Sequence, residues 1–358
     1  MHAPCLISLL VASTATAAPA WQLPTIDWAA GVVGSDPSRD GFAVRAFDVV
    51  WWEPERAWYL YCDLVLFSNP ECPSSFGSEI GVFSAATLDD EWTYRGIAVH
   101  KNQSIADAGG LATPTAIVRG GRVFVYFAYE GLPVGKGLRG IGGAYADHPL
   151  GPFRRTPPAA AAPEGWHRPT GPGGILDDPE VLFFGGRFHL FHSRKHVSDL
   201  NCSLTPDDPA AEVIDHCVEW RTSLDGVAWQ RRGVLAPPAA GQLHMSETMS
   251  ARVYDDTTLV VMTDGGGMVA FTADARALSG DDPLSFNWSA GVEVSVASAG
   301  FNASFVCTAL RILPADGAPT HAMMSWKAAD ARRVVEGDGD GACSGAMTFA
   351  SFPLVSRA

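Results

Sequence analysis

An internal repeat is the feature that most constrains how this chain can fold. Residues 174–196 (GILDDPEVLFFGGRFHLFHSRKH) place acidic residues before an apolar run, a Gly-Gly turn and an aromatic strand. Residues 113–127 match residues 178–192 almost position for position, with a leading residue, Pro, an apolar strand, Gly-Gly-Arg and a second strand. Units of similar length and hydropathy return at 48–62 and 247–262, and a weaker one at 303–326. Such self-similarity indicates a repeat architecture.

The period and composition of the units predict the fold. The leading residues are Asp48, Thr113, Asp178 and Glu247, so successive units are 65, 65 and 69 residues apart. A unit of about 68 residues holds four short strands with long connections. β-Branched and aromatic runs bounded by turn residues recur along the chain, whereas helical periodicity is hard to find. We therefore predict an all-β, five-bladed β-propeller; a pair of β-sandwiches or a β-helix would not naturally place acidic residues at the start of the same strand in several units.

The N-terminus differs in character from the rest of the chain. An apolar run at 5–12 is followed by Ala15-Thr16-Ala17, which fits a small-x-small cleavage site. We expect a signal peptide over 1–18 and a single five-bladed propeller domain over 19–358, although a short buried strand would also explain the apolar run. The N-terminal segment therefore predicts a secreted protein.

Cysteine and asparagine usage also suits an exported glycoprotein. Six cysteines remain after the predicted signal peptide, an even number that is typical of disulfide bonding. Their order along the chain suggests three local pairs, although reduced, buried thiols are the alternative: Cys62–Cys72, Cys202–Cys217 and Cys307–Cys343. Four glycosylation sequons lie at Asn102, Asn201, Asn287 and Asn302.

Composition and motifs exclude several functional classes. With 358 residues, 47% hydrophobic and 18% charged, the chain can bury a large core. A net charge of −14 disfavours nucleic acid as a partner, and no apolar run after residue 18 is long enough to predict a membrane span. The sequence contains no nucleotide-binding or nucleophile-elbow motif, zinc-site spacing or complete calcium loop. We predict no cofactor and no metal.

The leading residues of the repeats suggest a reaction. In a propeller, the innermost strands start near the axis, so Asp48, Asp178 and Glu247 would converge on one cavity. Hydrolysis of a glycosidic bond uses one carboxylic acid to protonate the leaving oxygen and one carboxylate to activate water or attack the sugar. A third acid can tune the proton donor through like-charge repulsion. A carbohydrate is the predicted substrate.

Asp178-Pro179, with the following strand, Gly-Gly turn and aromatic strand, resembles the Asp-Pro motif of the five-bladed propeller glycosidases of the furanosidase type, families 43, 62 and 117. The resemblance implies a glycoside hydrolase that inverts configuration. It also implies that Asp48 is the general base, Glu247 the general acid and Asp178 the residue that raises the pKa of Glu247. The sequence departs from the family pattern where Val49 follows Asp48 and where Thr248-Met249 follow Glu247. Asp177 and Glu180 are alternatives to Asp178.

Five further residues are candidates for contacting the sugar: His244, Arg194, Lys195, Trp52 and Thr113. His244 would equally suit a surface loop, Arg194 and Lys195 a solvated strand end, and Trp52 the packing between blades. Two other functions stay open. One is a carbohydrate-binding or protein-interaction propeller without catalysis, and the other is a retaining fructosidase-type hydrolase on the same fold.

Overall fold

The computed structural model describes residues 32–33, 42–66, 79–102, 108–131, 139–156, 175–195, 216–235, 247–254, 256–264, 268–289, 291–293, 307–313, 321–327 and 347–353. These residues form strands and short 3₁₀ turns. A two-residue strand, β1 (Val32–Val33), precedes sheet I, which consists of β2 (Phe42–Trp52), β3 (Ala57–Leu66), β4 (Glu79–Ala85) and β5 (Thr93–Val99). Sheet II consists of β6 (Gly110–Arg119), β7 (Arg122–Glu130), β8 (Arg139–Ala146) and β9 (Arg154–Arg155).

The remaining strands form three more sheets. Sheet III contains β10 (Ile175–Phe184), β11 (Arg187–Lys195), β12 (His216–Ser223) and β13 (Gln230–Leu235). Sheet IV contains β14 (Glu247–Tyr254), β15 (Thr258–Asp264), β16 (Met268–Asp274) and β17 (Val292–Glu293). Sheet V contains β18 (Cys307–Leu313), β19 (His321–Lys327) and β20 (Met347–Pro353), with β1 beside β20. No helix in this described part of the chain is long and apolar enough to cross a membrane.

The sheets form a closed ring. The first strands of neighbouring sheets contact each other in turn, from β2 to β6, β10, β14 and β18, and β18 returns to β2. Sheet V is completed by the N-terminal strand, because Val32 pairs with Ser351 and Val33 with Ala350. Every pairing within the five four-stranded sheets is antiparallel between neighbours in the order given above. The predicted all-β propeller is confirmed by this arrangement.

The apolar core lies between neighbouring sheets rather than at the axis. Separate clusters of buried side chains join sheets I and II, II and III, and III and IV, and Met323 of β19 joins the cluster of sheet I. Tyrosine hydroxyls bridge the same boundaries. Tyr61 donates to the carbonyl oxygen of Pro149 at 2.8 Å, and Tyr126 donates to that of Gly226 at 2.7 Å. The aromatic residues of the repeats therefore hold the sheets to one another.

A β-bulge interrupts the first hairpin of every sheet at the same place, near the beginning of the first strand. In sheets I, II and III two residues are left unpaired: Arg45 and Ala46, Thr113 and Pro114, and Asp178 and Pro179. In sheets IV and V one residue is left unpaired, Met249 and Thr308. A bulge bends its strand and re-aims the local side chains. The bulges therefore define one end of the ring, called the bulge end below.

The structure corrects one predicted disulfide. Cys62 lies on β3 opposite Phe47, is fully buried, and is a free thiol, so the predicted Cys62–Cys72 pair is wrong. Cys62 packs as an apolar core side chain of sheet I, and burial raises the pKa of its thiol. Cys217 is disulfide-bonded, and its partner lies outside the described residues. The predicted signal peptide over 1–18, the sequons at Asn201 and Asn302 and the proposed Cys307–Cys343 pair are not tested by the described side chains.

Four innermost strands are joined by a buried polar cluster, the axial network, formed by Asp48, Thr115, Glu180 and Arg252. Arg252 of β14 donates from Nη2 to Asp48 Oδ1 of β2 at 2.7 Å and from Nη1 to Glu180 Oε2 of β10 at 3.3 Å. Thr115 of β6 donates to Asp48 Oδ2 at 2.9 Å and accepts the backbone N–H of Val181 at 3.1 Å. Sheets I to IV are thereby tied together through side chains of their first strands.

Charge balance explains how the axial network tolerates burial. Asp48 is 0% exposed, Glu180 2% and Arg252 6%. Burial alone would lower the pKa of the Arg252 guanidinium, but the charges of Asp48 and Glu180 hold that pKa above its usual value. A buried charge is stable only when it is paired and hydrogen-bonded. Arg252 is therefore the cation on which both buried carboxylates depend.

Replacing the Arg252 guanidinium by a neutral side chain should destabilise the ring. We expect Arg252→Met to lower the free energy of unfolding by about 3 to 5 kcal/mol at pH 7, because two buried carboxylates lose their cation. The loss should be smaller at pH 5 than at pH 8, since the unpaired carboxyls can then take up protons. Urea unfolding at both pH values measures this.

The matched control is Arg122→Met, which removes an arginine that is 54% exposed from its pair with Asp147. An exposed pair contributes less than about 1 kcal/mol. Equal effects of the two substitutions would contradict the assigned role of Arg252.

A buried histidine in sheet III gives stability its own pH dependence. His189 Nδ1 accepts the indole N–H of Trp220 at 3.2 Å, and Nε2 lies 3.1 Å from the carbonyl oxygen of Phe184. This pattern requires the neutral tautomer that carries its hydrogen on Nε2, because Nδ1 accepts and Nε2 donates. Burial lowers the pKa of His189 from 6.5 to about 4, despite the hydrogen bond to Phe184, which acts in the opposite direction.

We expect His189 to destabilise the fold progressively as pH falls. Its folded pKa lies below its unfolded value, so its contribution is complete above about pH 6.5 and is lost as pH falls towards about 4. The loss amounts to about 2 to 3 kcal/mol. Denaturant unfolding of the wild type and of His189→Gln between pH 4 and 7 measures it, and equal pH slopes for the two proteins would contradict the prediction.

Candidate functional site

The bulge end of the ring carries the residues that the sequence singled out as leaders, except in sheet I. The unpaired positions of the bulges make Thr113 and Asp178 equivalent, as the sequence repeat predicts. The equivalent residue of sheet I is Arg45, whereas Asp48 lies three positions further along β2, beyond the bulge. Asp48 therefore does not lead its repeat in the way that Asp178 does.

The contacts of Asp48 differ from those expected of a general base. Oδ1 accepts from Arg252 and from the backbone N–H of Val49 at 2.9 Å, and Oδ2 accepts from Thr115 and from the N–H of Ala116 at 2.9 Å. A carboxylate that accepts several hydrogen bonds and faces a guanidinium is stabilised in its ionised form and is a weak base. Because Asp48 is also fully buried, its geometry suits the axial network better than the activation of water.

Asp178 occupies the bulge of sheet III in an unusual conformation. Its φ is 49°, and Thr113 in the equivalent position of sheet II has a φ of 45°. Asp178 is half-buried, and its backbone N–H donates to Oδ1 of the neighbouring Asp177 at 3.0 Å. The Thr113 hydroxyl donates to the same oxygen at 3.2 Å. The Asp177 carboxylate is therefore tied to the backbone, and Asp178 is the more exposed of the two residues.

A second bulge uses a carboxylate in a related way. In sheet I, the backbone N–H of Ala46 donates to Oδ1 of Asp63, a fully buried residue of β3, at 2.6 Å. A bulge takes backbone groups out of the ladder, and buried N–H groups need another acceptor. The carboxylates of Asp63 and Asp177 thus accept backbone N–H groups at the bulges, a structural role that distinguishes them from Asp178.

A buried ionic cluster lies beside the bulge of sheet III. His192 of β11 is the residue opposite the bulge, and its Nε2 lies 3.5 Å from Glu219 Oε1 on β12. Glu219 also pairs with Arg221 and, at 3.1 Å, with Arg231. Burial alone would raise the pKa of Glu219, but the hydrogen bond from His192 and the nearby positive charges hold that pKa well below its usual range. Glu219 therefore stays ionised beside the bulge, where Arg221 and Arg231 balance its charge.

The remaining predicted residues fall at different depths. Glu247 is the first residue of β14, and its backbone pairs with Asp264. Arg194 and Lys195 end β11 opposite Leu176 and Ile175. All three backbones therefore reach the bulge end, but their side chains lie outside the described part, as does His244 entirely.

Trp52 has a different environment from the one expected of a sugar-binding residue. It is 5% exposed, ends β2 far from the bulge, and packs in the core between sheets I and II. Its ring contacts His148 edge-on, with centroids 6.0 Å apart. The structural alternative, packing between neighbouring sheets, accounts for Trp52.

Sequence reasoning missed Arg252 and Glu219. An arginine between the apolar residues Ala251 and Val253 of a strand was a usable signal, because a charge buried at such a position requires a partner. No group of three or more His, Cys, Asp or Glu residues in the described ranges is placed to hold a metal ion.

Comparisons with known proteins yield similar structures rather than similar sequences. No family model matches the chain, and no curated protein matches its sequence. A family 117 glycoside hydrolase, Zg3597 from Zobellia galactanivorans, superposes with a TM-score of 0.56 at 13% identity, covering 87% of this chain and 84% of that one. A GH43_1 enzyme from Xanthomonas citri complexed with xylotriose gives a TM-score of 0.57 at 15% identity, covering 92% of each chain.

An endo-arabinase from Bacteroides thetaiotaomicron is also similar, with a TM-score of 0.53 at 13% identity over 88% of this chain and 95% of that chain. At identities this low, the structural similarity demonstrates a shared fold. The similarity extends over nearly the whole length of both chains in each case. The chain therefore has the propeller fold of the glycoside hydrolases of families 43 and 117.

Proposed function

We propose that this protein is a secreted glycoside hydrolase whose five sheets are the blades of a five-bladed propeller and whose active site lies at the bulge end. The observation that carries the proposal is Asp178, a half-buried acidic residue in a left-handed conformation at the bulge of sheet III. Strained backbone of this kind clusters at functional sites. The glycosidases that share the fold supply the reaction class.

Glu247 is the proton donor in this proposal. Its backbone begins β14, the innermost strand of sheet IV, at the same end of the ring as Asp178. A general acid must protonate the leaving oxygen as the glycosidic bond breaks. Asp178 orients Glu247 and raises its pKa by like-charge repulsion. The reaction inverts configuration by single displacement, and the carbohydrate substrate binds across the bulge end.

The proposal assigns Asp48 to the axial network and not to the activation of water. Four donors occupy its two oxygens, and no part of its side chain reaches solvent. The carboxylate that activates water is then a different one. Asp178 is the first candidate for that role should it prove not to tune Glu247.

A second candidate function is a carbohydrate-binding propeller without catalysis. It is favoured by one observation, that Arg45 occupies in sheet I the bulge position that Asp178 occupies in sheet III. A site with fewer axial carboxylates can bind a sugar but lacks one of the two groups that hydrolysis requires.

Aryl glycosides with graded leaving groups separate the roles. We expect the wild type to hydrolyse at least one arabinofuranoside, xyloside or galactoside. Glu247→Gln should lose activity by on the order of a hundredfold or more on poor leaving groups and far less on dinitrophenyl glycosides, because a good leaving group needs no proton. If Asp178 tunes Glu247, the loss in Asp178→Asn should depend on the leaving group in the same way.

The controls are built into the same panel. A loss in Asp178→Asn that is equal on all leaving groups would reassign Asp178 to the activation of water. Asp147→Asn, in an exposed pair with Arg122, should leave turnover unchanged. A wild type that binds oligosaccharides in calorimetry but hydrolyses none would support the binding propeller and overturn the enzyme.

A further inference from the structure

Two non-glycine residues at the bulge end share a left-handed backbone that neither favours. Thr113 has a φ of 45° and Asp178 a φ of 49°. A positive φ is a genuine outlier for a β-branched residue such as threonine. Each residue also precedes a proline, Pro114 or Pro179, which favours extended backbone at the preceding position. Such conformations persist only where surrounding contacts impose them.

Those contacts meet at one atom. Oδ1 of Asp177 accepts the backbone N–H of Asp178 at 3.0 Å and the hydroxyl of Thr113 at 3.2 Å. Asp177 is 6% exposed, so its carboxylate sits in a poorly solvated place where such bonds are strong. One oxygen thus joins the bulge of sheet II to the bulge of sheet III.

We propose that Thr113 and Asp177 are positioning residues that fix the conformation of Asp178 for the reaction, an inference that rests on the proposed function. The Thr113 hydroxyl holds the Asp177 carboxylate, and that carboxylate holds the Asp178 N–H. Rotation about the Asp178 backbone would move its carboxylate relative to the substrate. Catalytic groups must keep their place to within a fraction of an ångström, so a tie of this kind acts on turnover.

Stability alone does not account for the residues at these positions. Glycine adopts a positive φ without steric cost, as Gly120, Gly121, Gly185 and Gly186 do in the hairpin turns of the same two sheets. The chain instead keeps threonine and aspartate at the two strained bulge positions. Their side chains therefore contribute something that glycine would not, namely the hydroxyl tie at Thr113 and the carboxylate at Asp178.

The test compares Thr113→Val with Thr113→Ser. Valine keeps the β-branched shape and removes the hydroxyl, whereas serine keeps the hydroxyl. We expect Thr113→Val to lower kcat by on the order of tenfold or more on the best aryl glycoside, with KM changed by less than about threefold. Thr113→Ser should retain most of the wild-type kcat, and Asp177→Ala, which removes the acceptor oxygen, should behave like Thr113→Val. Activity is expressed per folded protein, from thermal unfolding of each variant.

Each outcome decides something. If Thr113→Val and wild type have equal kcat, the positioning role is wrong while the proposed hydrolase stands. If Thr113→Val loses activity only in proportion to its folded fraction, the tie is structural, which also overturns the positioning role. Should Thr113→Val not fold, Thr113→Ala makes the same comparison. A wild type without activity on any glycoside would instead refute the proposed function, and the positioning role with it.

Discussion

One guanidinium near the axis holds the innermost strands in register with each other. Arg252 comes from sheet IV, and its partners Asp48 and Glu180 come from sheets I and III, so the ion pairs act between blades and not within one. Among the described residues, the apolar clusters lie between adjacent sheets. The axial network is the contact that links sheets I and IV, which are not neighbours in the chain.

The bulges place the candidate site next to the axial network. In sheets I to IV, the bulge of the first strand comes before the residue that joins the axial network. Residues at the bulge and residues after it therefore have different roles. In sheet III, Asp178 lies in the bulge and Glu180 lies just after it, so only Pro179 separates the half-buried Asp178 from the buried Glu180 of the axial network. The bulge changes the direction of the strand between them. One short acidic segment thereby supplies Asp178 to the candidate site and Glu180 to the axial network.

The repeat predicted the fold and the place of Asp178, because the Gly-Gly turns and prolines of sheets II and III have identical spacing. It failed in sheet I, where the hairpin turn is a 3₁₀ segment, Glu53–Glu55, followed by Arg56. Matching Asp48 to Asp178 by residue type then shifted the register by three positions. The Arg252–Asp48 pair joins residues 204 apart, and nothing local in the sequence indicates which carboxylate a buried arginine will meet. The predicted Cys62–Cys72 disulfide was wrong for the same reason, since closeness to Cys72 in sequence does not indicate that Cys62 lies in the core.

The fold and the chemistry therefore depend on different residues. The apolar clusters between the sheets and the axial network are formed by residues other than those at the bulge positions, which are unpaired in the ladder. Their occupants vary from Arg45 to Thr113 to Asp178 along the three equivalent bulges. The structural similarity to glycosidases, at low sequence identity, concerns the arrangement of the sheets and gives no information about the residues at these positions. Whether the protein hydrolyses a glycoside is consequently decided by what Asp178 and Glu247 do together, and the strained backbone at Asp178 is the feature that a mere frame would not need.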